Sequence, residues 1–247
     1  MTTPEATPKA KIDRKAPCPC GSGRRYKSCC YARDRGRELA LCAASDGAAA
    51  VDEVLRVFLP LVESRGEHRI ACGEGCSACC ANFVRCSVPE AMAAAAWLQE
   101  PAQAEVRARF EAKLPAWRAR AGAGEVAALE THLDAHGDGA RAGAAWDEYQ
   151  ALTVAWARKA NLCPFNERGR CEIYPVRPLI CRSVYVLDSP DDCLPDRAPP
   201  KIVSHPALES AFREATRACA DAGARLGRGD RLRAIPEAVA AALAHKD

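Results

Sequence analysis

"CPCGSGRRYKSCC", residues 18 to 30, places four cysteines in a short stretch that has no apolar residues from which to build a core. Such a segment holds a fixed shape only through a crosslink or a metal, because it buries too little surface to offset its chain entropy. A second knot, "CGEGCSACC", puts four more cysteines into residues 72 to 80. Whether these are disulfides, redox thiols or metal ligands decides how the rest of the chain is read.

Redox compartment separates the three. The opening "MTTPEATPKAKIDRKAP" carries no apolar stretch of the secretory kind. The longest apolar run, "AMAAAAWL", falls far short of the ~20 residues that cross a bilayer. The expectation is a cytoplasmic protein with no membrane partner, in a compartment that keeps thiols reduced. Fifteen cysteines, an odd number, then point to metal binding.

In the first knot, Cys18-x-Cys20 and Cys29-Cys30 supply four soft ligands for a tetrahedral zinc ion. Gly21 and Gly23 let the chain turn tightly between the two pairs. Four thiolates on Zn²⁺ leave a charge of about −2. Arg24, Arg25 and Lys27 can offset it. The stretch resembles the SEC-C motif, a zinc-binding tail of the preprotein translocase motor ATPase. That resemblance implies Cys18, Cys20, Cys29 and Cys30 as the ligands, and an adaptor role that docks to other proteins or to the ribosome.

The second knot, Cys72-x3-Cys76-x2-Cys79-Cys80, is harder to close on one ion. Adjacent side chains diverge by about 100° on a helix and point oppositely on a strand, so Cys79 and Cys80 serve different metals or one of them packs inward. Further thiols lie in "CPFNERGRCEIYPVRPLICRSV": Cys163, Cys171 and Cys181. Seven thiols suit one four-ligand site plus an incomplete one, or a multinuclear cluster. Zinc and iron–sulfur assemblies both accept four thiolates. The absence of a regular ferredoxin spacing argues against a standard ferredoxin cluster.

Residues 70 to about 185 resemble the YkgJ-type cysteine-cluster family, described as a zinc- or iron-chelating domain. The resemblance rests on "CGEGCSACC" and on the later "CPF", "GRCEIYPVRPLICR" segments. It implies ligand roles for Cys72, Cys76, Cys79, Cys80, Cys163, Cys171 and Cys181, and supporting roles for Tyr174, Arg177, Pro178 and Arg182. Physically, Arg177 and Arg182 offer positive charge to clustered thiolates, and Arg keeps its charge when partly buried. Tyr174 has a hydroxyl to donate to sulfur. Some flagellin lysine methylases carry a related cluster, but this chain has no Gly-rich nucleotide loop to go with it.

Cys42 and Cys219 read as small core residues on helix faces. Cys86 is undecided between ligand and core, and Cys193 is a possible eighth ligand. His132 and His136, spaced i and i+4, find no third ligand nearby in sequence, and His68 is a minor metal candidate.

The expected fold is mainly α: a small irregular zinc module followed by a helical domain with a loop-built multi-cysteine metal site. Residues 1–16 read as a disordered basic lead-in and 17–33 as the zinc module. Residues 34–195 read as the metal-binding domain, with a helical insert at about 87–160. Residues 196–247 read as C-terminal helices packing on it. Val51, Val54, Leu55, Phe58 and Leu61 mark one helical face, which Pro60 should kink or end. Ser87 and Glu90 make a capping box. Gly-rich breaks fall near 122–124 and 137–143, and Trp146, Tyr149, Thr153 and Trp156 form an apolar stripe. Leu208, Phe212, Ala215, Cys219, Ala222 and Leu226 form another, and a last short helix starts at Pro236.

Charge is uneven. The whole chain carries +3, whereas residues 9 to 37 hold ten Lys or Arg against Asp13 and Asp34. This basic module suits a protein partner. Nucleic acid or the ribosome ranks lower, because Tyr26 and Tyr31 are the segment's only aromatics. The leading functional expectation is a metal-binding protein with a docking module. The alternative is an iron-dependent or iron–sulfur oxidoreductase or modifying enzyme.

Overall fold

The computed structural model describes residues 12–73, 75–136, 143–193, 201–227 and 231–244. The fold is mainly α, as the sequence predicts. In chain order come α1 (Tyr31–Ser64), β1 (Arg85–Cys86), α2 (Val88–Leu98), α3 (Ala104–Ala121), α4 (Ala123–His136) and α5 (Ala144–Ala157). They are followed by β2 (Asn166–Glu167), β3 (Arg170–Cys171), α6 (Leu179–Ser183), α7 (Pro206–Arg225), β4 (Arg233–Ala234) and α8 (Ile235–Ala244). The strands form two small antiparallel ladders, β1 with β4 and β2 with β3. Among the described residues, no helix is long and apolar enough to cross a membrane.

The long helix α1 sets the frame. Its 34 residues reach about 50 Å at 1.5 Å per residue. Gly36, Ala40, Ala44, Gly47, Val51 and Leu55 recur at three- and four-residue spacing and turn inward. This stripe packs antiparallel on α7: Gly36 meets Leu226 at one end, Gly47 meets Ala215 midway, and the Phe58 ring lies 4.1 Å from His205 at the other end. At the crossing a Cβ on Gly47 would stand 2.8 Å from the Cβ of Ala215, so the two backbones can approach this closely only over glycine.

Three expectations for α1 change. Pro60 neither ends nor replaces the last turn, and the helix continues to Ser64. Leu61 is 53% exposed, because α1 runs past the start of α7. Cys42 also faces solvent: it lies two residues from the inward Ala40, about 200° around the helix. Cys219 sits in the core as its periodicity predicts.

The capping box at the head of α2 is present, with Ser87 at the N-cap and Glu90 reaching back to it. Gly122 ends α3 at φ 79°, where the sequence predicts a break. The second predicted break lies largely outside the described residues, as do the Trp146 side chain and residues 1–11 of the lead-in. The apolar interior has two parts. Phe110 stacks on Phe165 at 4.2 Å, and with Phe83, Trp117 and Trp156 they fill the space among α2, α3, α4, α5 and α8. The second part lies along α1 and α7 and receives Leu179 from α6. Cys163, Cys171 and Cys181 pack against the first part. Cys86 is buried within it, and its thiol is pushed well up by that burial, which makes it a core residue.

Candidate metal centres

The first centre forms where the chain doubles back before α1. The Cys18 N–H donates to the Arg24 carbonyl at 2.7 Å, and Pro17 bridges Arg25. Gly21 and Gly23 take φ of 74° and 70°, a region closed to most residues, and this aims Cys18 and Cys20 at the same point as Cys29 and Cys30. All four Sγ atoms lie within 4.8 Å of one another. Cys20 is 3.4 Å from Cys18 and 3.5 Å from Cys29, and Cys29 is 3.8 Å from Cys30. Four thiolates bound tetrahedrally at about 2.3 Å stand about 3.8 Å apart, so the donor set fits one ion with little movement. Zinc suits four such sulfurs.

Local chemistry favours ionised sulfur on one side of the cluster. Hydrogen bonding from the Ser22 side chain, then its backbone N–H and the neighbouring thiols, lowers Cys20 to about 6. Cys30 moves the other way, to about 12, because Cys18 holds it protonated and burial adds to this. Ser22, whose hydroxyl is 3.2 Å from the Cys29 sulfur, is a contributor that spacing alone could not reveal.

The module is fastened to α1. Cys30 is the N-cap residue of that helix. The buried Tyr26 donates its hydroxyl to Asp34 at 2.9 Å and meets Tyr31 edge-on, while Arg14 covers the other side of Tyr31 at 4.5 Å. Arg14 and Ala16 also accept backbone hydrogen bonds from Lys27 and Tyr26. Arg24, Arg25 and Lys27 remain exposed.

The remaining candidate ligands gather between the 70–86 segment and the 163–193 segment. Cys163 N–H donates to the Cys80 carbonyl at 2.8 Å, Ala71 N–H to Val186, and Val186 N–H to the Cys72 sulfur at 3.1 Å. These bonds place the thiols in two neighbourhoods. Cys72 and Cys76 act electrostatically on each other and on Cys193. Cys80 does so with Cys163, Cys171 and Cys181, and Cys79 reaches Cys76 and Cys181. The sulfurs stand farther apart than those of the first module, which is the only group of three or more ligand atoms this close among the described residues.

As thiols, most of this set is held neutral by burial. Burial pushes Cys163 and Cys181 well up, Cys171 to about 11 and Cys193 to about 11. Cys80 is the exception: hydrogen bonding by its neighbour Cys79 lowers it to about 7. Cys193 is the contributor here outside the seven thiols of the two sequence segments.

The two arginines divide their work. Arg177 lies 4.0 Å over the Tyr174 ring and donates to the Tyr185 hydroxyl, and its charge pulls Cys72, Cys171 and Cys181 downward. Arg182 is buried. It pairs with Asp52 of α1 and donates to the carbonyls of Arg177 at 2.7 Å and Pro175 at 2.6 Å. It thereby fixes the turn between Cys171 and Cys181. Tyr174 is exposed, and Pro178 precedes α6 as its N-cap. His132 stacks on Tyr149, His68 pairs with Asp188, and neither lies in a group of close ligand atoms among the described residues.

Comparison with known proteins identifies the first centre. Residues 14–32 match the family model of the SEC-C motif. A 24-residue stretch is 71% identical to protein translocase subunit SecA 1 of Rhodopirellula baltica, covering 10% of this chain and 2% of that protein. The likeness is therefore to one small part of a far longer relative. No solved structure matches the chain.

Proposed function

We propose that this is a cytoplasmic metal-binding protein with two metal centres: a zinc-holding SEC-C module that docks to a protein partner, and a helical domain that chelates zinc or iron with clustered cysteines. The observation that carries the reading is the convergence of Cys18, Cys20, Cys29 and Cys30, with all sulfurs within 4.8 Å. Zinc supplies the folding energy that this coreless segment lacks. The exposed Arg24, Arg25 and Lys27 form the docking face, which selects an acidic surface on the partner.

The main-domain centre is the second part of the proposal, in line with the YkgJ-type resemblance of residues 70 to 185. Its ligands are Cys72, Cys76, Cys79, Cys80, Cys163, Cys171 and Cys181, joined by Cys193. Metal binding draws the two cysteine segments together from their wider spacing. The nearness of Cys193 to Cys72 and Cys76 supports two closed four-thiolate sites, which favours chelation over an enzyme with an open coordination position.

The test is metal and acid-labile sulfide content, with an absorption spectrum, on protein purified without oxygen. Zinc alone in a colourless sample supports the structural and docking reading. Iron with visible absorbance in the main domain supports the chelating centre as an iron site and makes redox chemistry the next question. Protein that folds fully after metal removal contradicts the proposal.

A further inference from the structure

One sizeable cavity lies at neither metal centre. It has a volume of about 760 Å³ and lies between the first two turns of α1, the outer face of α2 and the face of α8. This is within the range of about 300–1,000 Å³ that holds a small organic ligand. Its walls are made of short side chains, Ala95 and Ala96 from α2 and Ala238 and Ala242 from α8, with Met92 as an adaptable filler. Cys86 lines it too, but its burial holds the thiol neutral and makes it part of the apolar wall.

The polar groups converge at the rim. Arg33 and Arg37 come from α1, Arg231 and Arg233 from the chain entering β4, and among the described residues none of those lining the cavity is acidic. Asp34 pairs with Arg33, while Arg233 is engaged by Asp134, Glu130 and the Leu232 carbonyl, so these two guanidinium groups are held in place. A guanidinium has five N–H donors and one carboxylate engages at most two, so Arg33 keeps donors for a further anion. An apolar trough closed by arginines matches a molecule with a hydrocarbon body and an anionic head.

We propose that this cavity is a binding site for an aliphatic carboxylate of fatty-acid type, its chain between α2 and α8 and its head on the arginine rim. Arg33 stands three residues beyond Cys30, so the head lies directly behind the first metal centre. The short alanines are what leave room for the chain.

Equilibrium dialysis of the full metal-loaded protein against labelled dodecanoate, below its micelle concentration, tests the site. One saturable site per chain is expected, with dodecanol and acetate each at least tenfold weaker. The substitution Arg33→Gln weakens dodecanoate about tenfold or more, the size of one charge-assisted hydrogen bond. Ala96→Phe, at a half-buried wall position, fills the trough and removes binding. Should that variant misfold by circular dichroism, Ala242→Phe fills it from the opposite wall. Absence of saturable binding, equal affinity for dodecanol, or binding that survives the wall substitutions in folded protein would each overturn the site. Occupancy by an acidic helical peptide but not by dodecanoate would overturn it as well.

Discussion

The carboxylate of Glu90 accepts the backbone N–H of Leu179 at 2.7 Å, 89 residues away in sequence. The same side chain accepts from the Ser87 N–H at 2.7 Å and the Ser87 hydroxyl at 2.6 Å. One buried group thus caps α2 and also satisfies the first free N–H of α6, the short helix that carries Cys181. A capping box, ordinarily a local device, here ties two distant parts of the chain together.

Replacing Glu90 with Ala should cost about 2–4 kcal/mol, the sum expected for hydrogen bonds to a charged acceptor and the donors left unpaired. Urea unfolding measures the loss. Cys181 is released by the same change, so metal content of the main domain should fall with it. A change in stability below about 0.5 kcal/mol, the range of an ordinary surface substitution, would show that the clamp is not used.

Gly47→Val should destabilise the pairing of α1 with α7 by about 1–3 kcal/mol, because its branched side chain has no space against Ala215. The same change at Gly124, where a Cβ meets nothing within 4 Å, is the control. Equal effects at the two positions would mean that helix propensity and not the close crossing sets the cost.

The two cysteine groups should fail separately. Cys18→Ser should release the metal of the module and expose Tyr26, leaving the main thermal transition in place. Cys80→Ser or Cys171→Ser should lower or abolish that transition. Tyrosine fluorescence and calorimetry on the same samples distinguish the two results, and unchanged main-domain stability in both latter variants would contradict a metal role there.

Metal affinity of the main domain should rise steeply with pH. Burial holds Cys163, Cys171 and Cys181 above their ordinary value, so near neutral pH each must lose a proton before it can bind. Each such thiol adds about one tenfold gain in affinity per pH unit, until its own raised value is passed. Chelator competition between pH 6 and 8, run on the Cys18→Ser protein, should give a slope of about three or more. A flat profile would mean that these sulfurs are not the ligands.

Arg182→Lys should cost about 2 kcal/mol despite keeping the charge. A lysine has no planar fork and cannot serve Asp52, Pro175 and Arg177 together, so buried carbonyls lose their donors. Retention of full stability and metal content would assign Arg182 a purely electrostatic role.

The sequence was most legible where chemistry and spacing coincide. Cys18, Cys20, Cys29 and Cys30 could be grouped from spacing because four thiols in so short a loop have few other arrangements. Ser87 with Glu90, and the stripe through Leu208, Ala215 and Cys219, were readable because a helix repeats locally. What spacing could not show was Glu90 reaching Leu179, Asp52 meeting Arg182, or Cys193 approaching Cys72, since each is set by how α1, α2 and the 163–193 segment pack. Leu61 went astray for a related reason: helical periodicity gives a face, while the neighbouring helix decides how far along it burial extends; Cys42 lies off that face altogether, about 200° around the helix from Ala40. Pro60 does not end α1: near the C-terminal end of a helix of 34 residues it removes one backbone donor and leaves the rest of the ladder in place.

Cys30 begins α1, and Tyr26, Tyr31, Asp34 and Arg14 lock the module onto the first turns of that helix. The mount is therefore stiff and not a flexible tether. Any partner bound at the proposed docking face would be presented to the rest of the molecule at one distance and one angle, set by a helical ruler about 50 Å long. Inserting or deleting a single residue early in α1 would swing that partner by about 100°, without altering one atom of the surface that grips it.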